Sequence, residues 1–207
     1  MATASRRIGA PDSKTRAQLL DAAEKLLLDE GYAAVTSRRV AAKAGLKPQL
    51  VHYYFRTMDD LFIEVFRRRA DRDLEGFERA VAADPSVHNL WRMNADQRGA
   101  AFTIEFVALA NHRKAIKKEI ARYAERFRAA QLDAMAAALA AGGVPTQQLP
   151  PIVALLLMTG LSQVLALEDA LGIATGHDAT RAFVDRTIAQ LETKSPSAVR
   201  GRSTAAR

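Results

Sequence analysis

Apolar side chains recur along this chain at intervals of three and four, and no stretch sustains the alternation of a half-buried strand. Leu19, Leu20, Ala23, Leu26 and Leu27 share one face of a helix predicted over Ser13–Glu30, which stops at Gly31. Thr36 caps a short helix from Ser37 to Ala44, closed by Gly45, and Pro48 opens another through Phe55 from the favoured first-turn position. Thr57, followed by Asp59 and Asp60, is a capping signature for a long helix carrying Leu61, Phe62, Val65, Phe66, Leu74, Phe77 and Val81, ending near Asp84-Pro85. Further helices are expected over Val87–Met93, Asp96–Asn111, Lys114–Ala141, Pro151–Leu171 and Ala179–Leu191, with Gly142-Gly143-Val144-Pro145 as a stop between the third and fourth of these. From Lys194 onward no apolar face exists, and the segment reads as a disordered basic tail. The pattern predicts an all-α protein.

Composition adds limits rather than a new picture. Of 207 residues, 49% are apolar and 26% charged, an ordinary globular mixture long enough for a sizeable core. The absence of cysteine removes disulfides, thiolate metal sites and cysteine nucleophiles, and fits a reducing cytoplasm. Met1–Lys14 has Arg6 and Arg7 but no apolar run behind them, so it does not read as a signal peptide. Ile152–Leu167 carries no charge, yet at about 24 Å it falls short of a hydrocarbon core of about 30 Å. It runs into Glu168 and Asp169, and a buried helix is expected there rather than a membrane span.

Charge is distributed unevenly. The formal net charge is +7, but residues 1–56 hold ten basic and five acidic side chains, residues 57–190 are almost neutral, and residues 191–207 are basic again. An anionic partner at the N-terminal end is implied, nucleic acid or a membrane surface.

The front of the chain supplies the means. Two short helices joined by Ala44-Gly45-Leu46 and preceded by a longer amphipathic one have the size and order of a helix-turn-helix unit. In the helix from Pro48, residues Gln49, His52, Tyr53 and Arg56 fall on one polar, aromatic and basic stripe, with Val51 and Phe55 opposite. Glutamine pairs bidentately with adenine edges, arginine serves phosphate or guanine, and His or Tyr meets phosphate or a thymine methyl. Thr36, Ser37, Arg38 and Arg39 add hydroxyls, charge and backbone N–H groups at the start of the preceding helix. Tyr54 reads either as core or as a DNA contact, and Phe55 as core. The four histidines, His52, His88, His112 and His177, show no ligand spacing, so no metal and no cofactor are expected. No Ser-His-Asp, paired-carboxylate or phosphate-loop motif appears, which argues against an enzyme.

Over Leu20–Leu61 the chain resembles the N-terminal domain of the TetR family of bacterial transcriptional regulators. The resemblance is carried by Ala22-Ala23, Gly31, Thr36, Arg39-Val40-Ala41, Ala44-Gly45 and the aromatic run Tyr53-Tyr54-Phe55 leading to Leu61. It implies a three-helix DNA-binding head and a larger helical body for ligand binding and dimerisation. The divisions expected are an N-terminal arm over 1–12, the head over 13–57, the body over 58–193 and the tail over 194–207. Lys47 stands where Ser or Thr usually caps the recognition helix, Gln49 where a small residue is frequent, His52 where Tyr is common, and Met58 in place of a Lys, so no operator sequence is carried over.

Lys14, Thr36, Ser37, Lys47, Pro48, Tyr54 and Arg56 are expected to position the DNA backbone, while Arg38, Gln49, His52 and Tyr53 read bases or their methyls. The resemblance further implies a homodimer, with a repressor released from a palindromic operator by a small apolar or amphipathic effector. The dimer is expected to form through 151–171 and 179–191, Gly160 and Ala166 permitting close approach. Trp91, Met93, Phe102, Phe106, Tyr123, Phe127 and Met158 are candidates to line the ligand cavity, although aromatic residues at helical spacing also read as core. Glu105, an acid in an apolar run, needs a partner or water, and reads as a structural contact or as a group orienting the ligand. Arg67-Arg68-Arg69 and Lys114, Lys117 and Lys118 read as solvated faces. A sequence-neutral DNA-coating protein and a helical small-molecule or lipid carrier are the alternatives from other classes.

Overall fold

The α-helical period dominates the fold as it does the sequence. In the computed structural model, which describes residues 13–94 and 97–193, with side chains from Phe102 onward in the second segment, no strand occurs among the described residues. The helices are α1 (Lys14–Glu30), α2 (Ser37–Lys43), α3 (Pro48–Tyr54), α4 (Met58–Ala83), α5 (Val87–Asn94), α6 (Gln97–Ala110), α7 (Lys114–Ala141), α8 (Pro151–Ala170) and α9 (His177–Thr193). One element escaped the periodicity, a 3₁₀ turn at Tyr32–Ala34 between α1 and α2. The expected arm over 1–12 and tail over 194–207 lie outside the described residues.

The helix ends follow from local chemistry. Ser13 Oγ accepts from the Arg16 N–H at the start of α1, and Thr36 Oγ1 accepts from Arg39 at the start of α2. Thr57 and Asp60 form a reciprocal capping box at the start of α4, each side chain accepting the other's backbone N–H at 3.0 Å. Gly31 and Gly45 sit at φ +80° and +69°, which lets α1 and α2 end in sharp turns.

Two units emerge from the packing. The first gathers residues up to Gly76 with Gln97–Phe127, and the second gathers Phe77–Asp96 with the chain from Arg128. The sequence boundary at residues 57 and 58 therefore marks the end of the helix-turn-helix segment, not the end of its core. Leu19, Leu20, Leu26 and Leu27 of α1, Val40 of α2 and Val51 of α3 share one hydrophobic cluster with Leu61, Phe62, Val65 and Phe66 of α4, Phe102, Phe106 and Leu109 of α6, and Ile116 of α7. A head this small has too little interior of its own, and the first turns of α4 together with α6 complete it.

Ion pairs bind this unit across its surface. The three arginines read as a solvated face are instead engaged. Arg67 makes a bidentate pair with Glu119 of α7 at 2.8 and 3.1 Å, which holds that carboxyl down at about 2 and raises the guanidinium further. Arg68 reaches Asp21 and Glu24 of α1, Arg69 reaches Glu24 and Asp73, and Arg72 reaches Glu24. Helical spacing places such consecutive cations around their own helix; it is blind to acids on another helix.

In the second unit α5 packs on α8 and α9. Asn89, almost fully buried, donates to the Ala80 and Asp84 carbonyls and accepts from Arg92, so the α4–α5 turn keeps its buried polar groups satisfied. A Cβ at Gly142 would fall 2.3 Å from the Leu191 carbonyl oxygen, so glycine there lets the end of α7 meet α9 backbone to backbone. His177 opens α9 two residues before the expected start. Its Nδ1 and Nε2 each lie 2.8 Å from a carboxylate oxygen, of Asp169 and Glu168 respectively, and Arg181 also pairs with Asp169. Ionised carboxylates only accept, so the ring satisfies both as the doubly protonated cation.

The Glu168 hydrogen bond raises the His177 pKa above its ordinary value, burial opposes this, and Asp169 reinforces it. A raised folded-state value means that the stabilisation is complete below about pH 6.5 and fades as pH rises through the folded value. Unfolding midpoints measured from pH 6 to 9 should fall more for the wild-type chain than for His177→Gln; parallel profiles would show that the imidazolium contributes nothing.

Candidate nucleic-acid interface

Seven residues of α3 divide cleanly between inside and outside. Val51 and Phe55, the latter just past the helix end, are 1% and 2% exposed, which fixes how the helix rests on the core. Gln49, His52, Tyr53 and Arg56 are all exposed. Gln49, His52 and Tyr53 thus share the exposed side of α3, whereas the helix ends at Tyr54 and Arg56, expected on the same stripe, lies beyond it after the extended Phe55. Tyr54, read in two ways from the sequence, is partly buried against the core, and Tyr53 meets its ring edge-on at 5.0 Å. Behind this helix Arg16 of α1 lies over the Phe55 ring and pairs with Glu64 of α4 at 2.5 Å. Arg16, Tyr54, Phe55, Arg56, Asp60 and Glu64 surround a cleft of about 370 Å³.

The start of α3 departs from ordinary capping. Lys47 has the extended backbone of an N-cap residue, φ −84° and ψ 142°, but makes no side-chain cap, and Pro48 follows at the first helical position. Its ammonium is exposed. On α2, Thr36 and Arg38 are exposed and Ser37 is half-buried, and Lys14 is exposed on the first turn of α1.

The cations of the head fall into two sets, a division that composition could not reveal. Arg39 pairs with Glu30 at 2.5 Å and Lys43 with Asp29 at 3.6 Å, both acids at the end of α1. Among the described residues, no ion pair involves Arg38, Lys47 or Arg56. Positive charge not neutralised within the fold therefore surrounds the exposed α3 stripe, where phosphate would meet it. Among the described residues no group of three His, Asp or Glu side chains gathers as a metal site.

Comparison with known proteins bears on this geometry directly. Residues 19–65 match the model of the bacterial regulatory proteins of the tetR family, a segment that runs from α1 through the helix-turn-helix into α4. Over these residues the chain is similar to the N-terminal region of TetR-family regulators. It is 30% identical over 122 residues to the HTH-type transcriptional regulator BetI of Rhizobium meliloti, an alignment covering 55% of this chain and 60% of that protein. It is also 30% identical over 71 residues to the HTH-type transcriptional activator FasR of Mycolicibacterium smegmatis, covering 34% and 32%. The chain thus spans less than two thirds of the length of either relative. In fold, a putative TetR-family regulator from Rhodococcus sp. superposes with a TM-score of 0.67 at 21% identity, covering 87% of this chain and all of that one. The fatty acid degradation regulator FadR from Bacillus halodurans superposes with 0.64 at 17% identity, covering 93% and 100%.

Outside the head, the candidate ligand residues differ in their surroundings. Phe102 and Phe106 are buried, 4.7 Å apart, and pack with Phe66, whose ring also meets Tyr123; Tyr123 in turn stacks on Phe127 at 5.6 Å. Burial pushes the Tyr123 phenol well above its usual range. These five rings form a packed aromatic cluster of the first unit. Trp91 and Met158 are buried in the second unit. Glu105 has found a protein partner: the Tyr32 backbone N–H donates to its Oε2 at 2.8 Å. The contact is invisible in the sequence because the two residues lie 73 positions apart. What the sequence does signal is the need for a partner, from one acid in an apolar run.

Replacing Lys47 separates its two effects. Lys47→Ser should add the missing cap, raising stability by about 1 kcal/mol, while removing one phosphate contact and lowering the salt slope of DNA binding by about one. Denaturant unfolding and a salt titration check these independently, and an unchanged slope would remove Lys47 from the interface.

Proposed function

We propose that the protein is a sequence-specific, dimeric DNA-binding transcriptional regulator. The observation that carries this reading is the exposed set Gln49, His52 and Tyr53 on α3, fixed in orientation by Val51 and Phe55, with Arg56 exposed just beyond the helix end. In this reading Gln49, His52, Tyr53 and Arg38 reach base edges in the major groove. Lys14, Thr36, Ser37, Lys47, Pro48, Tyr54 and Arg56 position the backbone, Tyr54 through its accessible edge. The BetI and FasR relatives, named as a regulator and an activator, support DNA-linked regulation, and the TetR-family resemblance favours repression of a palindromic operator. A protein with this task works in the cytoplasm, where bacterial DNA is.

The dimer surface belongs to α8 and α9. By length and composition α8 is apolar enough to cross a membrane, its twenty residues exceeding the uncharged stretch seen in the sequence. Only Leu155, Met158, Ser162 and Leu165 of it are buried, while Leu156, Leu157, Val164 and Leu167 stand exposed, with Phe183 exposed on α9. Its last turn carries Glu168 and Asp169, tied to His177. A second copy, presenting the same two helices across a two-fold axis, would cover this face and set the spacing of two recognition helices. For the effector we propose a small apolar or amphipathic molecule that engages the aromatic residues Phe102, Phe106, Tyr123 and Phe127 of the first unit.

Selection of bound sites from a random duplex pool tests the central reading: enrichment of a palindrome supports it, and equal competition by unrelated DNA would reduce the protein to a sequence-neutral DNA-coating role. Retention of a small-molecule activity by a chain that binds no DNA would favour a carrier. With a selected site in hand, Gln49→Ala should relax preference at one base pair per half-site, by about 1–3 kcal/mol. Leu157→Glu should yield a folded monomer in sedimentation, and a persisting dimer would place the interface elsewhere.

A further inference from the structure

Helix α6 of the first unit carries both part of the aromatic cluster and a side chain bonded to the turn that enters α2. Phe102 and Phe106 face Phe66, and Glu105, between them in sequence, extends its carboxylate to the junction of α1 and the 3₁₀ turn. It accepts the Tyr32 N–H at 2.8 Å, and a Cβ at Gly31 would lie only 3.4 Å from the same oxygen. Gly31, at φ +80°, thus supplies both the bend and the room for the carboxylate. Four residues past Tyr32 stands Thr36, the cap of α2, and α2 in turn packs on α3. The turn that follows α6 makes a second contact: Arg113 pairs with Asp59 in the first turn of α4 and lies over Phe62. Between these two contacts Tyr32, Thr36, Ser37, Met58 and Arg113 border a cleft of about 340 Å³. The segment from Tyr32 to Ser37 is held in the core by Val35 and borders this cleft with Tyr32, Thr36 and Ser37.

We infer that Glu105 is a positioning residue for DNA recognition: its hydrogen bond to the Tyr32 N–H holds the α1–α2 turn, and with it the Thr36 cap and α2, in the placement that lets α3 meet DNA. The inference rests on the proposed DNA-binding function and adds a residue outside the helix-turn-helix to it. A charge-assisted bond to a backbone N–H is among the stronger hydrogen bonds. Its loss leaves the turn free to sample other conformations, and DNA affinity falls by the fraction of molecules no longer competent. Because Glu105 and its neighbouring phenylalanines share one helix, a change in ring packing at Phe102 or Phe106 would be felt at the same hydrogen bond.

The test compares full-length wild type, Glu105→Ala, Glu105→Gln and Glu105→Asp on a duplex carrying the selected site, by fluorescence anisotropy, with hydrogen exchange read at the Tyr32 amide. Glu105→Ala should bind DNA about tenfold more weakly and lose Tyr32 protection. Glu105→Gln, whose amide oxygen still accepts, should recover most of both. Glu105→Asp keeps the charge but is one methylene shorter, and should fold yet bind weakly; it decides the matter if the alanine variant does not fold. A role confined to stability would lower the unfolding midpoint while leaving affinity at 25 °C untouched, and wild-type affinity in a folded Ala or Asp variant overturns the inference. A wild-type chain that binds no duplex removes the DNA-binding function itself, and the positioning role with it.

Discussion

A seven-residue helix cannot hold itself together in water, because nucleation costs more than two turns of hydrogen bonds return. Helix α3 exists because Val51 and Phe55 are drawn out of solvent, and the rest of the head is arranged to receive them. Leucines of α1 form the floor, Phe62 and Phe66 extend it from α4, and Arg16 closes over Phe55 while pairing with Glu64. The same two anchors determine which side chains are left outside. The exposure of Gln49, His52 and Tyr53 is in this sense a by-product of burying their neighbours.

The electrostatics are organised around that surface. A net charge of +7 spread evenly would attract DNA everywhere and orient it nowhere. Within the head, acids at the end of α1 neutralise Arg39 and Lys43, while Arg38, Lys47 and Arg56 keep their charge. Those three cations stand in or beside α2 and α3 without an acidic partner among the described residues.

Much of this is legible in the amino-acid sequence. Helix order and most boundaries follow from 3-4 spacing and from Gly, Pro and capping residues, and the exposed Gln49, His52 and Tyr53 from their i, i+3 and i+4 positions, while the helix stops short of Arg56. The 3₁₀ turn at Tyr32–Ala34 is not, because three residues carry no period. Nor is the sharing of one core by the head, α4 and α6, since periodicity says which face is apolar but not which face it meets. For the same reason Glu105 announces a need and hides its partner, and His177 looks like a lone histidine until the chain turns it back between Glu168 and Asp169. Tyr54 is ambiguous in the sequence and intermediate in the structure, half packed and half reachable.

Three arginines of α4, Arg68, Arg69 and Arg72, converge on the single carboxylate of Glu24, which is only 12% exposed. The arrangement is lopsided in what it tolerates. Any one arginine can drift to another residue and Glu24 still has two partners, so mutations at 68, 69 and 72 buffer one another. A change at Glu24 removes the shared anion at once and leaves three like charges with Asp21 and Asp73 to balance them on the seam between α1 and α4. Sequence drift in related chains should therefore be asymmetric across this seam, with the basic positions interchangeable and the acidic one held.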